Sequence, residues 1–246
     1  MNKCLRIAMW SGPRNISTAM MRAWENRGDT AVVDEPFYAH YLAATSAAHP
    51  GREEIIGSQD ADYRSVTQTL TGPIPNGKPI WYQKHMAQHI LPDDPLDWLA
   101  HVANCFLIRR PEEVVASFTV NREDAAIWEL GFEQQARLFD QVCNRLGKAP
   151  PVLDAADVLK NPEGTLRALC TRLGVAFTER MLHWPVGPRT DDGVWAKHWY
   201  AAVERSSGFA PYRPREPRLT AFQQKLADQC RPHYERLSSF RLSAAA

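Results

Sequence analysis

The sequence predicts an α/β protein built on a mostly parallel, doubly wound sheet. Two observations carry this expectation. Short apolar runs of strand length alternate with stretches of helical periodicity, the pattern that folds as βαβ units with helices on both faces of one sheet. Most of the runs also end beside Gly, Pro, Asp or Ser, so those strands pass through a tight loop into a helix. No repeat or linker interrupts the pattern, and residues 1–246 are expected to form one domain.

The organising stretch is residues 6–24. Leu5, Ile7, Ala8, Met9 and Trp10 form a strand-length apolar run, and Ser11, Gly12 and Pro13 stop it. Asn15 or Ser17 can cap the helix that follows, in which Ala19, Met20, Ala23 and Trp24 recur at helical spacing. A helix starting straight from a strand points free N–H groups and its positive dipole end at the loop, which makes an anion site. Arg14, Ser17 and Thr18 add a cation and two hydroxyls there. The loop lacks the second Gly and the Lys of a Walker A motif.

The other elements follow in order. Residues 30–33 are a second strand ending in Asp34-Glu35-Pro36, where open α/β sheets place their sites; either carboxylate could instead cap the next helix. Helices are expected over 51–56 and 60–70, with a turn at 72–77. Residues 79–83 are a third strand that delivers Lys84 and His85 to its end. His85 and His89 have metal-ligand spacing but no accompanying Glu or third ligand, so no metal is expected. A helix at 95–101 precedes a fourth strand, 104–108, which ends in Arg109-Arg110-Pro111. Pro111, Glu112 and Glu113 are helix-start chemistry, and Ser117 falls on the second turn. The two arginines are read either as an anion site at this second strand–helix junction or as a solvated pair bonding Glu112 or Glu113. A helix at 131–146, a fifth strand at 151–153 ending at Asp154, and a helix at 162–173 closed by Gly174 come next. Residues 184–212 read as loops around a short helix at 195–204, and 219–237 as the closing helix.

Composition narrows the classes. With 29 Lys and Arg against 28 Asp and Glu, the net charge of +1 gives no nucleic-acid or membrane footprint. The five cysteines form no C-x-x-C pair, and neither a leader nor a membrane-length apolar run is evident, so a cytoplasmic location is expected. Cations and N–H groups at the strand ends could hold an anionic donor, and a carboxylate or imidazole could take an acceptor's proton. Trp10, Tyr38, Tyr41, Trp195, Trp199 and Phe209 are read either as core or as the wall of an acceptor pocket.

Three motifs in order then carry a resemblance. S-G-P-R-N-I-S-T (11–18) looks like a 5′-phosphosulfate loop. I-R-R-P-E-E-V-V-A-S-F (108–118) looks like a 3′-phosphate motif, an Arg followed eight residues later by a Ser. Residues 152–174 are similar to the later stretch in which a strand and acidic residues precede a Pro-led helix ending in Leu-Gly. Together they resemble the P-loop sulfotransferases that use 3′-phosphoadenosine 5′-phosphosulfate. The resemblance implies a P-loop-type three-layer α/β/α fold and sulfuryl transfer to a hydroxyl or amine of a small-molecule acceptor, with no metal required. It places the donor on Ser11, Gly12, Pro13, Arg14, Asn15, Ile16, Ser17 and Thr18, with its 3′-phosphate on Arg109 and Ser117. Arg14 would also stabilise the leaving phosphate, with Lys84 assisting. For the base, one family pattern points to His85 and another to Glu35, with Glu35 slightly preferred.

The chain also departs from the pattern. Asn15 and Ile16 replace a small Ser-Gly pair, and Arg110 stands where Asp or Asn is common. The late glycine-rich basic loop has only Arg205-Ser206-Ser207-Gly208 as a candidate, with Arg205 as its cation. Two rivals stand beside this reading: a kinase or NTPase using Asp34-Glu35 for magnesium, and a non-catalytic nucleotide-binding module on the same fold. Oligomeric state is not legible.

Overall fold

Five parallel strands form the centre of the molecule: β1 (Leu5–Ser11), β2 (Thr30–Asp34), β3 (Ile80–Met86), β4 (Ala103–Ile108) and β5 (Val152–Asp154). The computed structural model describes residues 4–120, 125–214 and 216–243. The strand order is β2-β3-β1-β4-β5, with every pairing parallel. β2 and β3 therefore lie on one side of β1 and β4 and β5 on the other, and all five carboxyl ends share one edge, the place where such sheets bind ligands.

The helices are α1 (Ser17–Glu25), α2 (Tyr38–Ala44), α3 (Arg52–Ser58), α4 (Tyr63–Thr71), α5 (Pro111–Phe118), α6 (Phe132–Leu146), α7 (Ala155–Lys160), α8 (Pro162–Leu173), α9 (Ala196–Trp199), α10 (Ala201–Glu204) and α11 (Ala221–Ser238). Strand alternation sends Ile7 and Met9 of β1 to one face and Ala8 and Trp10 to the other. The first face packs on α1 and α8 through Met20, Trp24, Leu166 and Leu169. The second packs on α4, α6 and α11 through Leu70, Phe139 and Leu237. Those two layers around the sheet are the three-layer α/β/α arrangement the motifs imply. Among the described residues no helix is long and apolar enough to cross a membrane.

Several elements differ from their expected form. β3 runs on to Met86, so Lys84 and His85 belong to the strand instead of lying past it. The stretch 95–101 forms only a 3-10 turn, Asp97–His101. The sequence sets no bounds for α2 and gives no sign of α7. α2 buries Tyr38, Tyr41 and Leu42 at helical spacing, and α7 is started by Asp154, whose carboxylate accepts the Ala156 N–H at 2.8 Å. Helix 195–204 breaks at Tyr200 into α9 and α10, and that residue stands apart in the site below.

Candidate functional site

The β1–α1 loop is built on backbone that few side chains adopt. Arg14 has φ 59° and Ile16 φ 50°, a left-handed conformation that costs a non-glycine residue of order 1–3 kcal/mol. Neither Asn15 nor Ser17 caps α1. Ile16 occupies the cap position without a side-chain bond, and Ser17 is the first helical residue. Asn15 instead turns inward and donates to Leu107 O at 2.6 Å, tying the loop to β4. The first bond of α1 runs from Met20 N–H to Ile16 O, so the N–H groups ahead of it face the loop opening. Gly12 is required by packing: a Cβ there would lie 2.8 Å from Leu130 O.

This loop forms one wall of a cleft of about 690 Å³. Pro13, Arg14, Asn15, Ile16, Ser17 and Thr18 all line it. Ser11 does not; it is buried in β1, with its hydroxyl 3.4 Å from His85 O. Ser117 of α5 lines the cleft and accepts from Arg14 Nε at 2.9 Å. Arg109 braces the loop, donating to Arg14 O at 2.7 Å, while its other nitrogens bond Glu113 at 2.8 and 2.9 Å. The pairing with Glu113 is the one the second reading of Arg109 describes, and Arg109 itself does not line the cleft; the 11–18 and 109–117 motifs meet in space. Arg110 stays 3.6 Å from Glu112. Arg205 is exposed and does not line the cleft; of its segment, His198, Trp199 and Tyr200 do.

The opposite wall carries the charged network. Asp34 and Lys84 are register partners across β2 and β3, so both point to the same face. Lys84 Nζ donates to Asp34 Oδ1 at 2.8 Å, to Glu35 Oε1 at 2.5 Å and to Tyr200 Oη at 2.9 Å. Tyr200 O–H donates in turn to Asp34 Oδ2 at 2.7 Å, and Trp195 Nε1 donates to Tyr200 Oη at 3.2 Å. Burial alone would pull the lysine down, but the charges of Asp34, Glu35 and Tyr200 outweigh it, and the ammonium is held well above its ordinary range. Burial pushes the Glu35 carboxyl up, against the pull of Lys84 and with an added push from Asp34. Glu35 has φ 42°, which carries its side chain away from the strand path and into the cleft. Three of the four non-glycine residues with positive φ among the described residues, Arg14, Ile16 and Glu35, line this one cleft. Neither Asp34 nor Glu35 caps α2, whose cap position is Phe37. Both are bound to Lys84, so a magnesium ion here would compete with an ammonium already in place.

His85 has a different environment. As the strand neighbour of Lys84 it points to the other face, where it is 1% exposed and stacks on Trp10 at 4.4 Å with Phe37 and Trp98 around it. Burial, and then the charge of Lys84, push it down to about 3. It does not line the cleft, and its position takes it out of reach of anything bound there. Among the described residues no group of three or more His, Cys, Asp and Glu side chains is placed to hold a metal ion.

The aromatic candidates divide as well. Tyr38, Tyr41 and Trp199 line the cleft, whereas Trp10 is core, Trp195 backs Tyr200, and Phe209 packs edge-on against Trp184. Sequence reasoning missed Tyr200, for which no local signal exists, and weighed His89 only for metal-ligand spacing, which it set aside. His89 lines the cleft, its Nδ1 3.9 Å from Glu35 Oε2. A second cavity of about 560 Å³, lined by residues such as Asp157, Lys160 and Arg241, shares no lining residue with the cleft.

Comparison with known proteins places this chain in a family. A family model described as a sulfotransferase domain matches residues 5–240, and the chain belongs to that family. It is 31% identical over 228 residues to branched-chain-amino-acid aminotransferase-like protein 2 of Arabidopsis thaliana, covering 93% of this chain and 40% of that protein. It is 35% identical over 204 residues to the Arabidopsis aminotransferase-like protein 1, covering 83% of this chain and 36% of that protein. The chain thus spans about two fifths of the length of these relatives. Among solved structures it is similar in fold to a sulfotransferase from Alicyclobacillus acidocaldarius, with a TM-score of 0.55, 13% identity and 97% of each chain covered.

Proposed function

We propose that the cleft binds 3′-phosphoadenosine 5′-phosphosulfate and catalyses transfer of its sulfuryl group to a small-molecule acceptor. One observation carries the reading: the uncapped N-terminus of α1 with Arg14, and the Glu35 carboxylate, open on the same cavity. The residues present fit the donor. The free N–H groups of α1, the hydroxyls of Ser17 and Thr18, and the Arg14 guanidinium suit a phosphosulfate. Ser117 and Arg109, beside Arg14, suit the 3′-phosphate. The donor supplies the sulfuryl group; everything else is the work of the chain's own side chains.

Arg14 and the α1 N-terminus stabilise charge on the leaving phosphate, fixed in place before reaction. Glu35 takes the proton of the attacking group. Its carboxyl, raised by burial, is a better base than an exposed glutamate. Lys84 holds Glu35 Oε1, which leaves Oε2 as the oxygen turned to the acceptor. Because Lys84 is tied to Asp34 and Tyr200 as well, it orients Glu35 in this scheme and is not a free electrophile. The aminotransferase-like names of the Arabidopsis relatives do not enter this scheme: Lys84, ion-paired to two carboxylates, is a poor imine-forming amine.

Calorimetric titration with adenosine 3′,5′-bisphosphate, against ATP with magnesium, tests the donor. Micromolar binding of the bisphosphate, weakened at least about tenfold (about 1.4 kcal/mol) by Arg109→Ala, is the expected result. A preference for ATP with magnesium would overturn the assignment.

A further inference from the structure

Tyr200 marks the break between α9 and α10 and is 4% exposed. It is carried by a late segment that closes on itself at a neck. His183 and Gly208 pair as an antiparallel bridge, Trp184 N–H donates to Ser207 O at 3.0 Å, and Gly187 N–H donates to Glu204 O at 2.7 Å. The loop beyond this neck is docked at two further points. Asp192 accepts from Arg22 of α1 at 2.6 Å, with both side chains buried. Trp195 and Tyr200 pack against Tyr38, Tyr41 and Ile55 of α2 and α3. Tyr200 therefore enters the cleft on a fixed support.

There the hydrogen bonds close a ring. Lys84 Nζ donates to Asp34 Oδ1 and to Tyr200 Oη, and Tyr200 O–H donates to Asp34 Oδ2. A phenol has one proton to give and lone pairs to fill. Tyr200 gives its proton to Asp34 and accepts from Lys84 and Trp195, so its hydroxyl has one orientation. An ammonium has three N–H groups that diverge tetrahedrally. With two of them taken by Asp34 and Tyr200, the third has one direction left, and Glu35 Oε1 lies there at 2.5 Å.

We propose that Tyr200 is a positioning residue for the base: its hydroxyl fixes Lys84 in the one orientation that aims an N–H at Glu35 Oε1 and leaves Oε2 to the cleft. This rests on the sulfuryl-transfer reading above, in which Glu35 takes the proton. Without the Tyr200 oxygen the ammonium pivots on Asp34 and its bond to Glu35 loosens. Glu35 then loses part of the positive charge that opposes its burial, together with the nearby hydroxyl, and its carboxyl titrates higher. The other titratable groups facing it are Asp34 of β2, His89 of the turn after β3 and Tyr38 of α2. Asp34 pushes the carboxyl up in the same direction. Burial keeps both rings neutral.

The test reads the Glu35 carboxyl directly, by carbon-13 NMR of protein labelled at its glutamate carboxyls, with Glu35→Gln to assign the signal. The titration is compared in wild type, Tyr200→Phe and Trp195→Phe, beside melting temperature and affinity for adenosine 3′,5′-bisphosphate. Tyr200→Phe keeps the buried ring, whose centroid is 5.4 Å from Lys84 Nζ, and removes the oxygen alone. Trp195→Phe disturbs the same support and leaves the Tyr200 hydroxyl on Lys84 and Asp34. The expected result is a Glu35 midpoint at least about one pH unit higher in Tyr200→Phe, an acid about tenfold weaker, and a smaller shift in Trp195→Phe even where that variant melts lower. Bisphosphate affinity stays at the wild-type value in Tyr200→Phe. An unmoved or lowered midpoint in Tyr200→Phe, or an equal shift in both variants, would reduce Tyr200 to packing and overturn the proposal. A tenfold loss of bisphosphate affinity in Tyr200→Phe would make it part of the donor site and overturn it too. A wild type that does not bind the bisphosphate removes the donor reading, and with it the base that Tyr200 serves, even where the midpoint moves as expected.

Discussion

Lys84 and His85 are adjacent on β3, each 1% exposed, and they live in opposite chemistries. Lys84 faces Asp34, Glu35 and Tyr200 and keeps its charge. His85 faces Trp10, Phe37 and Trp98 and loses its own. Equal burial gives opposite protonation because desolvation penalises any charge, and only a partner of opposite sign repays it. The charged side opens on the cleft, and the neutral side packs the sheet against its helices. The contrast shows that a buried titratable group is read by its partners and not by its depth.

The sharpest way to break that contrast is to remove the lysine. Lys84→Met leaves Asp34 and Glu35 buried without their cation and is expected to cost about 3–5 kcal/mol in denaturant unfolding. Adding Asp34→Asn should restore part of it; a single variant as stable as wild type would show that the network is not paired as described. Arg14→Ala comes next and should separate function from fold. Arg14 is exposed, so stability should barely move, while sulfuryl transfer loses about 2.7–4 kcal/mol of barrier stabilisation. Unchanged transfer would remove Arg14 from the leaving-group role.

The smallest effect is expected on the neutral side. His85→Phe keeps the stack on Trp10 and should leave transfer and donor affinity as they are. Its signature is acid stability. The unfolded chain protonates this histidine near 6.5, the folded chain only near 3. Its contribution is therefore complete above pH 6.5 and is lost as the pH falls through that window, by up to about 1.4 kcal/mol per pH unit. Removing it should move the acid-unfolding midpoint to lower pH. An unchanged midpoint would mean that His85 is not buried in neutral form.

Much of the fold was legible because it is written in local signals. Alternating apolar runs fixed five strands to within a few residues, and Gly12, Pro111 and Gly174 marked where strands and helices change. The loop 13–18 and Ser117, both singled out from the sequence, meet in one cleft. The strand length of β3 was not: Lys84 and His85 were expected at its end, and the alternation that separates them operates only inside a strand. Helix capping by Asn15 was a sound local reading that lost to a tertiary contact, the bond to Leu107 O.

The sequence by itself determined the parallel sheet, the order of its elements and the residue types at each strand end, since these follow from periodicity and breakers within a dozen residues. Only the tertiary structure decided which of them act together. Tyr200 reaches Asp34 across 166 positions, and Arg14 reaches Ser117 across 103. His89 comes within 3.9 Å of Glu35 only because β2 and β3 lie side by side. Such contacts join segments far apart in the chain, and no local pattern records them. They form because burying a charged or polar group is affordable only where another element brings its partner.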